Sequence, residues 1–228
     1  MRIEVLADAE AVALRAAQVI AEEARAAIAA RGRFLLAVSG GRTPWRMLRA
    51  LADVPLPWGA VHVFQVDERK APPGDPDRNL THLDATLLSR VPLPAAQVHP
   101  MPVDAADLAA AAASYGRELE AVAGAPPVLD LVHLGLGPDG HTASLVPADP
   151  VLEVSGAPVA VTRPYQGRAR MTLTFPVLDA ARRVLWVVAG ADKAVALSSL
   201  LRGDRSIPAG RVAAASALVL ADAAAAGQ

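Results

Sequence analysis

The sequence predicts an α/β domain: a mostly parallel sheet with helices on both of its faces. Three observations carry this. Short apolar runs alternate with longer helix-forming stretches along the whole chain, the order expected of strand–helix–strand units. Polar loops at Ser39–Gly41, Asp67–Arg69, Gly135–His141 and Gly190–Lys193 follow directly on apolar runs, and in such sheets ligands lie beyond the carboxyl ends of the strands. Neither an internal repeat nor a long linker interrupts the 228 residues, so one domain over 1–228 is expected.

Met1 to Leu6 reads as a strand, and Asp8 as the N-cap of a helix running from Ala9 to Ala30 and stopping at Gly32. Phe34 to Val38 is a buried strand that enters Ser39-Gly40-Gly41. Thr43 is read as the cap, and Pro44 as the first residue, of a helix through Leu51. Val61 to Val66 is a strand ending at Asp67-Glu68-Arg69, and the turn residues of Ala71 to Asp77 form a loop. Asn79 to Leu88 reads as helix, Leu93 to Pro102 as irregular, and Asp104 to Val122 as helix ended by Gly124 to Pro127. Leu129 to Leu134 is the strand that delivers Gly135 to His141. Val159 to Thr162 and Arg170 to Thr174 are strands flanking a turn at Gly167. A helix from Pro176 to Arg183, a strand from Val184 to Ala189, a helix from Ala191 to Leu201 and a short strand near Leu218 to Leu220 complete the chain.

Composition removes several classes of function. A formal net charge of -1 provides no basic face for nucleic acid, so an anionic ligand must be caught by local geometry. The absence of cysteine excludes disulfides, thiolate catalysis and cysteine zinc sites. Apolar stretches are short or broken by charge, and the N-terminus lacks a secretory pattern; a cytoplasmic protein with no membrane partner is expected. The mean hydropathy of +0.32 comes largely from alanine, a helix former. Only Lys70 and Lys193 are lysines among 22 basic residues, which singles out Lys193 beside Gly190.

The loops suggest chemistry. Gly40 and Gly41 between a strand and a helix let backbone N–H groups and the positive helix end face one point, a phosphate site to which the Ser39 and Thr43 hydroxyls add donors. Gly135-x-Gly137-x-x-Gly140 matches the dinucleotide fingerprint letter for letter, but Pro138, Pro147 and Pro150 cut short the helix that fingerprint must open, so no nicotinamide cofactor is expected. The loop instead offers His141, a candidate general base near neutral pH, with Asp139 two residues away to orient it or to bind a sugar hydroxyl. Asp67 and Arg69 at a strand's carboxyl end suit a polar crevice, Arg69 for bidentate capture of an anion, and Arg170 and Lys193 are candidate phosphate ligands. His62, His82, His99 and His133 show no metal-ligand spacing, so no metal is assigned.

On these residues the chain resembles the 6-phosphogluconolactonases. The matching pieces are Ser39-Gly40-Gly41 with Thr43-Pro44, then Asp67-Glu68-Arg69, and the block from Gly135 to Leu145, which includes Asp139, His141 and Ser144. Arg170 before Thr172-Leu173-Thr174, and Gly190 to Lys193, complete them in the family's order. Val146 stands where Phe is usual and Asp179 where Asn is usual. The glucosamine-6-phosphate deaminases share the fold, but this chain has Arg69 where they carry Tyr, and Thr142-Ala143-Ser144-Leu145 where their block supplies a Glu. The resemblance implies a three-layer α/β domain of the deaminase, ribose-phosphate isomerase and CoA-transferase type. It also implies hydrolysis of 6-phospho-D-glucono-1,5-lactone without cofactor or metal, by a monomer or homodimer. His141 would activate water, with Asp139 and Arg69 as its catalytic partners. Ser39, Gly40, Gly41, Thr43, Asp67, Ser144, Arg170 and Lys193 would bind the sugar phosphate. A glucosamine-6-phosphate deaminase and a non-catalytic sugar-phosphate sensor are the alternatives.

Overall fold

In the computed structural model, which describes residues 1–213 and 215–228, the apolar runs become strands and the helix-forming stretches cover them. Asp8 accepts the Ala11 N–H at 2.8 Å and starts helix α1 (Ala9–Arg31), which follows strand β1 (Arg2–Leu6) and ends where Gly32 turns left-handed at φ 74°. The chain continues through β2 (Phe34–Val38), α2 (Arg42–Ala52), β3 (Val61–Gln65), β4 (Asp67–Arg69), α3 (Asn79–Thr86), β5 (Val98–His99) and α4 (Leu108–Ala123). It ends with β6 (Leu131–Leu134), β7 (Val159–Val161), β8 (Arg170–Leu173), α5 (Phe175–Ala180), β9 (Arg183–Val188), α6 (Ala194–Leu201) and β10 (Ala217–Asp222).

Seven strands form one sheet in the order β1-β10-β9-β6-β2-β3-β5, and every neighbouring pair is parallel. Its central strands are largely apolar, and all five residues of β2 are buried, because both faces of the sheet are covered. Phe34, Leu36 and Val38 of β2 pack with Ile20 of α1, Met47 of α2 and Leu83 of α3. Leu35 and Ala37 point the other way, into a core with Tyr115 of α4, Leu178 of α5 and Leu197 of α6. The result is the expected three layers. Parallel strands put the loops after Val38, Gln65, Leu134, Val188 and Asp222 at one edge of the sheet, where a site can be assembled.

The structure departs from the sequence reading in several places. Asp67–Arg69 is itself a strand, antiparallel to β8, which also pairs with β7 in a separate three-stranded sheet; that pairing bridges a hundred residues and leaves no local pattern. Two residues of the stretch read as irregular, Val98 and His99, join the parallel sheet beside Val63 and Phe64. Gly41, not Thr43, is the N-cap of α2: the Trp45 N–H closes the first turn on the Gly41 carbonyl at 3.0 Å, and no side chain caps the helix. The helix expected from Asp104 starts at Leu108 because Asp107 accepts the Ala110 N–H at 3.0 Å. The helix expected from Ala191 opens as a single 3₁₀ turn, Ala191–Lys193. No helix of the described residues is long and apolar enough to cross a membrane.

Candidate active site

The loops after β2, β6 and β9 meet strand β4 and the start of β8 in one cleft of about 480 Å³, whose wall includes Gly40, Gly41, Arg69, His141, Arg170 and Lys193. Ser39, Thr43 and Asp67 line it as well. Segments from Ser39 to Lys193 therefore converge, as the sequence reading requires.

At one side stands the start of α2. With Gly41 as a cap that offers no side chain, the first N–H groups of an 11-residue helix have no side-chain partner and present the positive end of the helix dipole. Gly40 is required by close approach: a Cβ there would lie 2.0 Å from Asn79 Oδ1. Ser39 is held from behind, its N–H donating to His133 Nδ1 at 3.2 Å, and its buried hydroxyl has no partner among the described residues. Lys193 reaches the cleft with its Nζ 3.0 Å from Asp192 Oδ2.

The opposite side carries the imidazole. His141 Nδ1 lies 2.5 Å from Asp139 Oδ1, and the same oxygen accepts the His141 backbone N–H at 3.2 Å. Asp139 thus fixes the ring and the tautomer with the proton on Nδ1, which leaves the Nε2 lone pair free to act as a base. Gly137 makes room for the pair: a Cβ there would sit 2.1 Å from His141 Nδ1 and 2.6 Å from Asp139 Oδ1. Burial would raise the Asp139 carboxyl, but the adjacent His141 and hydrogen bonds from His141 and Tyr165 hold it below the usual carboxylate value. It remains an ionised partner for the imidazole at neutral pH.

Two arginines complete the wall. Arg69 donates from Nη1 to the Asp77 carbonyl at 2.9 Å, and its buried Nε has no partner among the described residues. Arg170 is also buried, with Nη2 3.1 Å from Gln166 Oε1 and Nε unpartnered. Burial lowers its guanidinium, Asp67 opposes that and Arg69 reinforces it; it stays charged, as arginine does in proteins. Two guanidinium groups with donors left unpartnered, on residues that line one cleft, suit an anionic ligand.

Ser144 is placed differently from its expectation. It is fully buried and donates to Asp67 Oδ2 at 2.6 Å, so it orients that carboxylate instead of lining the cleft. Residues that the sequence reading passed over also belong to the wall: Arg42, Arg46, Asn79 and Asp222. Arg42 sits inside the Ser-Gly-Gly-Arg-Thr-Pro segment and was legible there; Asp222 comes from a strand end whose placement beside Gly190 only the sheet order reveals. Asp222 accepts the Gly190 N–H at 3.1 and 3.0 Å and so holds the turn that carries Lys193.

His133 behind Ser39 has a measurable consequence. It is fully buried, and burial pushes its pKa from 6.5 down to about 3. A folded-state value below the unfolded one means that above pH 6.5 nothing is lost, and that stability falls as pH drops from 6.5 toward 3, because only the unfolded chain takes up the proton. His133→Asn keeps an acceptor near Nδ1 and removes this proton. Urea unfolding at pH 7 and pH 5 is expected to show a stability loss between the two that is smaller in the variant by about 2 kcal/mol. Equal losses in both proteins would show that His133 does not titrate in this way.

Comparison with known proteins follows the same lines. The family described as glucosamine-6-phosphate isomerases/6-phosphogluconolactonase matches residues 7–220. A 6-phosphogluconolactonase of Synechocystis sp. is 40% identical over 203 residues, 87% of this chain and 84% of that protein. That of Streptomyces coelicolor is 39% identical over 219 residues, covering 88% and 84%. The crystal structure of 6-phosphogluconolactonase from Thermotoga maritima superposes with a TM-score of 0.87 at 28% identity, over 97% of this chain and 98% of that one. A monomeric glucosamine-6-phosphate deaminase superposes with a TM-score of 0.86 at 18% identity, a likeness of fold alone. The fold and the cleft define an α/β protein of the sugar-phosphate isomerase and lactonase class. The chain belongs to the glucosamine-6-phosphate isomerase/6-phosphogluconolactonase family.

Proposed function

We propose that the chain hydrolyses 6-phospho-D-glucono-1,5-lactone to 6-phospho-D-gluconate, a step of the oxidative pentose phosphate pathway. The observation that carries the mechanism is the 2.5 Å Asp139–His141 pair in the same cleft as the Gly40–Gly41 turn. The phosphate docks on the Ser39–Thr43 segment with help from Lys193 and Arg170. His141 Nε2 takes a proton from water as the water oxygen bonds to C1. Arg69, on the cleft wall, supplies positive charge to the developing oxyanion. Collapse breaks the bond from C1 to the ring oxygen, which receives the proton from His141. A lactone is already an activated ester, so this route calls for no covalent enzyme intermediate. The same reading takes residues 1–228 as one domain, acting in the cytoplasm as a monomer or homodimer.

The test is acidification of a weakly buffered solution of freshly made lactone, measured against its spontaneous rate. A rate no faster than the spontaneous one rules the reading out, and ammonia release from glucosamine 6-phosphate would replace it with the deaminase. In the same assay Arg170→Ala and Lys193→Ala are expected to raise KM about tenfold or more with a smaller change in kcat, because phosphate binding is shared by ground and transition states. An unchanged KM in both removes them from the phosphate site.

A further inference from the structure

Tyr165 contacts Asp139, His141 and Arg170, and the proposed mechanism gives it no role. Its hydroxyl donates to Asp139 Oδ2 at 3.1 Å, the carboxylate oxygen that His141 does not use. Its ring meets the His141 ring edge-on, with centroids 5.6 Å apart. The Arg170 guanidinium carbon lies 4.9 Å from the centroid of the same ring. One side chain thus contacts the acid that orients the base, the base itself, and a cation expected to hold substrate.

Its position is built into the backbone. Tyr165 and Arg168 pair across a two-residue turn, with N–H···O distances of 2.9 and 3.3 Å. Gln166 and Gly167 both have positive φ, 53° and 79°, as tight hairpin turns of this length require. Arg168 then fastens the turn to the far loop, its Nε 2.9 Å from Asp77 Oδ2 and its Nη2 3.4 Å from Asp75 Oδ2. The same loop carries the Asp77 carbonyl that accepts from Arg69. The turn is therefore anchored to the loop that also holds Arg69.

We infer that Tyr165 is a positioning residue for the lactonase reaction: its hydroxyl completes an Asp139–His141 relay, and its ring holds the Arg170 guanidinium at the substrate. This rests on the proposed function above. The hydroxyl stays a neutral donor, since burial and Asp139 both push its pKa up and so suppress its ionisation. A neutral donor on Oδ2 keeps the carboxylate in the plane that serves His141 Nδ1 and spreads part of its charge. The ring supplies a flat, rigid face to the guanidinium, an interaction of the cation–π type.

Two variants separate the hydroxyl from the ring. Tyr165→Phe keeps the ring and is expected to lower kcat about fivefold, the worth of one hydrogen bond, with KM within about twofold. The acidic limb of its kcat/KM profile is expected to move to higher pH by about half a unit, because a carboxylate with one fewer donor holds a protonated partner more tightly. Tyr165→Leu removes both elements and is expected to add a rise in KM of about fivefold through the loss of the Arg170 contact. Thermal unfolding of both variants distinguishes a folding defect: Tyr165→Phe, nearly the same shape, is expected to melt within about 3 °C of wild type. Wild-type kcat, KM and pH profile in Tyr165→Phe would overturn the role of the hydroxyl, and a wild-type KM in Tyr165→Leu that of the ring. A wild-type protein without turnover overturns the lactonase reading itself, which the variants cannot do.

Discussion

Replacing His141 with Asn is expected to remove most lactone hydrolysis while leaving binding of 6-phosphogluconate within a few-fold of wild type. The geometry argues for Asn rather than Ala. An Asn amide keeps a polar atom near Nδ1 to meet Asp139, now 2.5 Å from the ring nitrogen, so the loop from Gly135 to Leu145 keeps its conformation. What disappears is the basic Nε2, the group assigned to water activation. Positioned general-base catalysis contributes ~10²–10⁴-fold, and a loss in that range is the expected result. The proposed function assigns the phosphate to the α2 N-terminus, Lys193 and Arg170, so product affinity measured by calorimetry should be nearly preserved. Full activity in the variant would remove His141 from the mechanism. Loss of both activity and product binding would point instead to a collapsed loop.

Glu68→Ala is expected to produce the largest loss of stability among the cleft residues, although Glu68 touches no substrate. Its side chain is fully buried between the arms of the site. One carboxylate oxygen accepts the backbone N–H of Arg69 and of Asn79, each at 2.8 Å. The other accepts the Leu80 N–H at 2.7 Å and Gln65 Nε2 at 2.8 Å. It serves as the N-terminal partner of α3 and at the same time ties that helix to β4. Removing the carboxylate strands four donors, all buried or partly buried, and a buried network broken from one side costs about 3–5 kcal/mol. Denaturant unfolding checks this: the midpoint should fall sharply, and Glu68→Gln, which retains one acceptor, should fall less. Activity should fall with it, because Arg69 and Asn79 both stand on this carboxylate. A variant within 1 kcal/mol of wild type, about the scale of a surface change, would show that water replaces the carboxylate freely.

Glu68 also shows where the sequence stops being informative. It lies inside the Asp-Glu-Arg segment that reads as functional, between Asp67 and Arg69, which do face the cleft. In a strand neighbouring side chains point to opposite sides. Once Asp67–Arg69 is known to be a strand, the middle residue must point away from its neighbours. The strand itself exists only because β8 pairs with it from a hundred residues away. Ser144 follows the same logic: the block that carries it was legible, but its direction toward Asp67 was not. Tyr165, Arg46 and Asp222 had no signal in the sequence, since Arg46 and Asp222 reach the cleft wall, and Tyr165 its neighbours Asp139 and His141, by tertiary contact alone.

The sequence by itself determined the alternation of strands and helices, hence the layered α/β architecture, and the segments whose residue types suit phosphate and proton transfer. It could do so because apolar period, caps and glycine turns are local properties written over a few neighbouring residues. Tertiary structure alone decided which side chains of those segments face the cleft, which of them support others, and how Asp139 and Tyr165 meet one imidazole while Arg170 lies over the same tyrosine ring. Those choices depend on strand order and register, and both are set by pairings between residues distant in the chain.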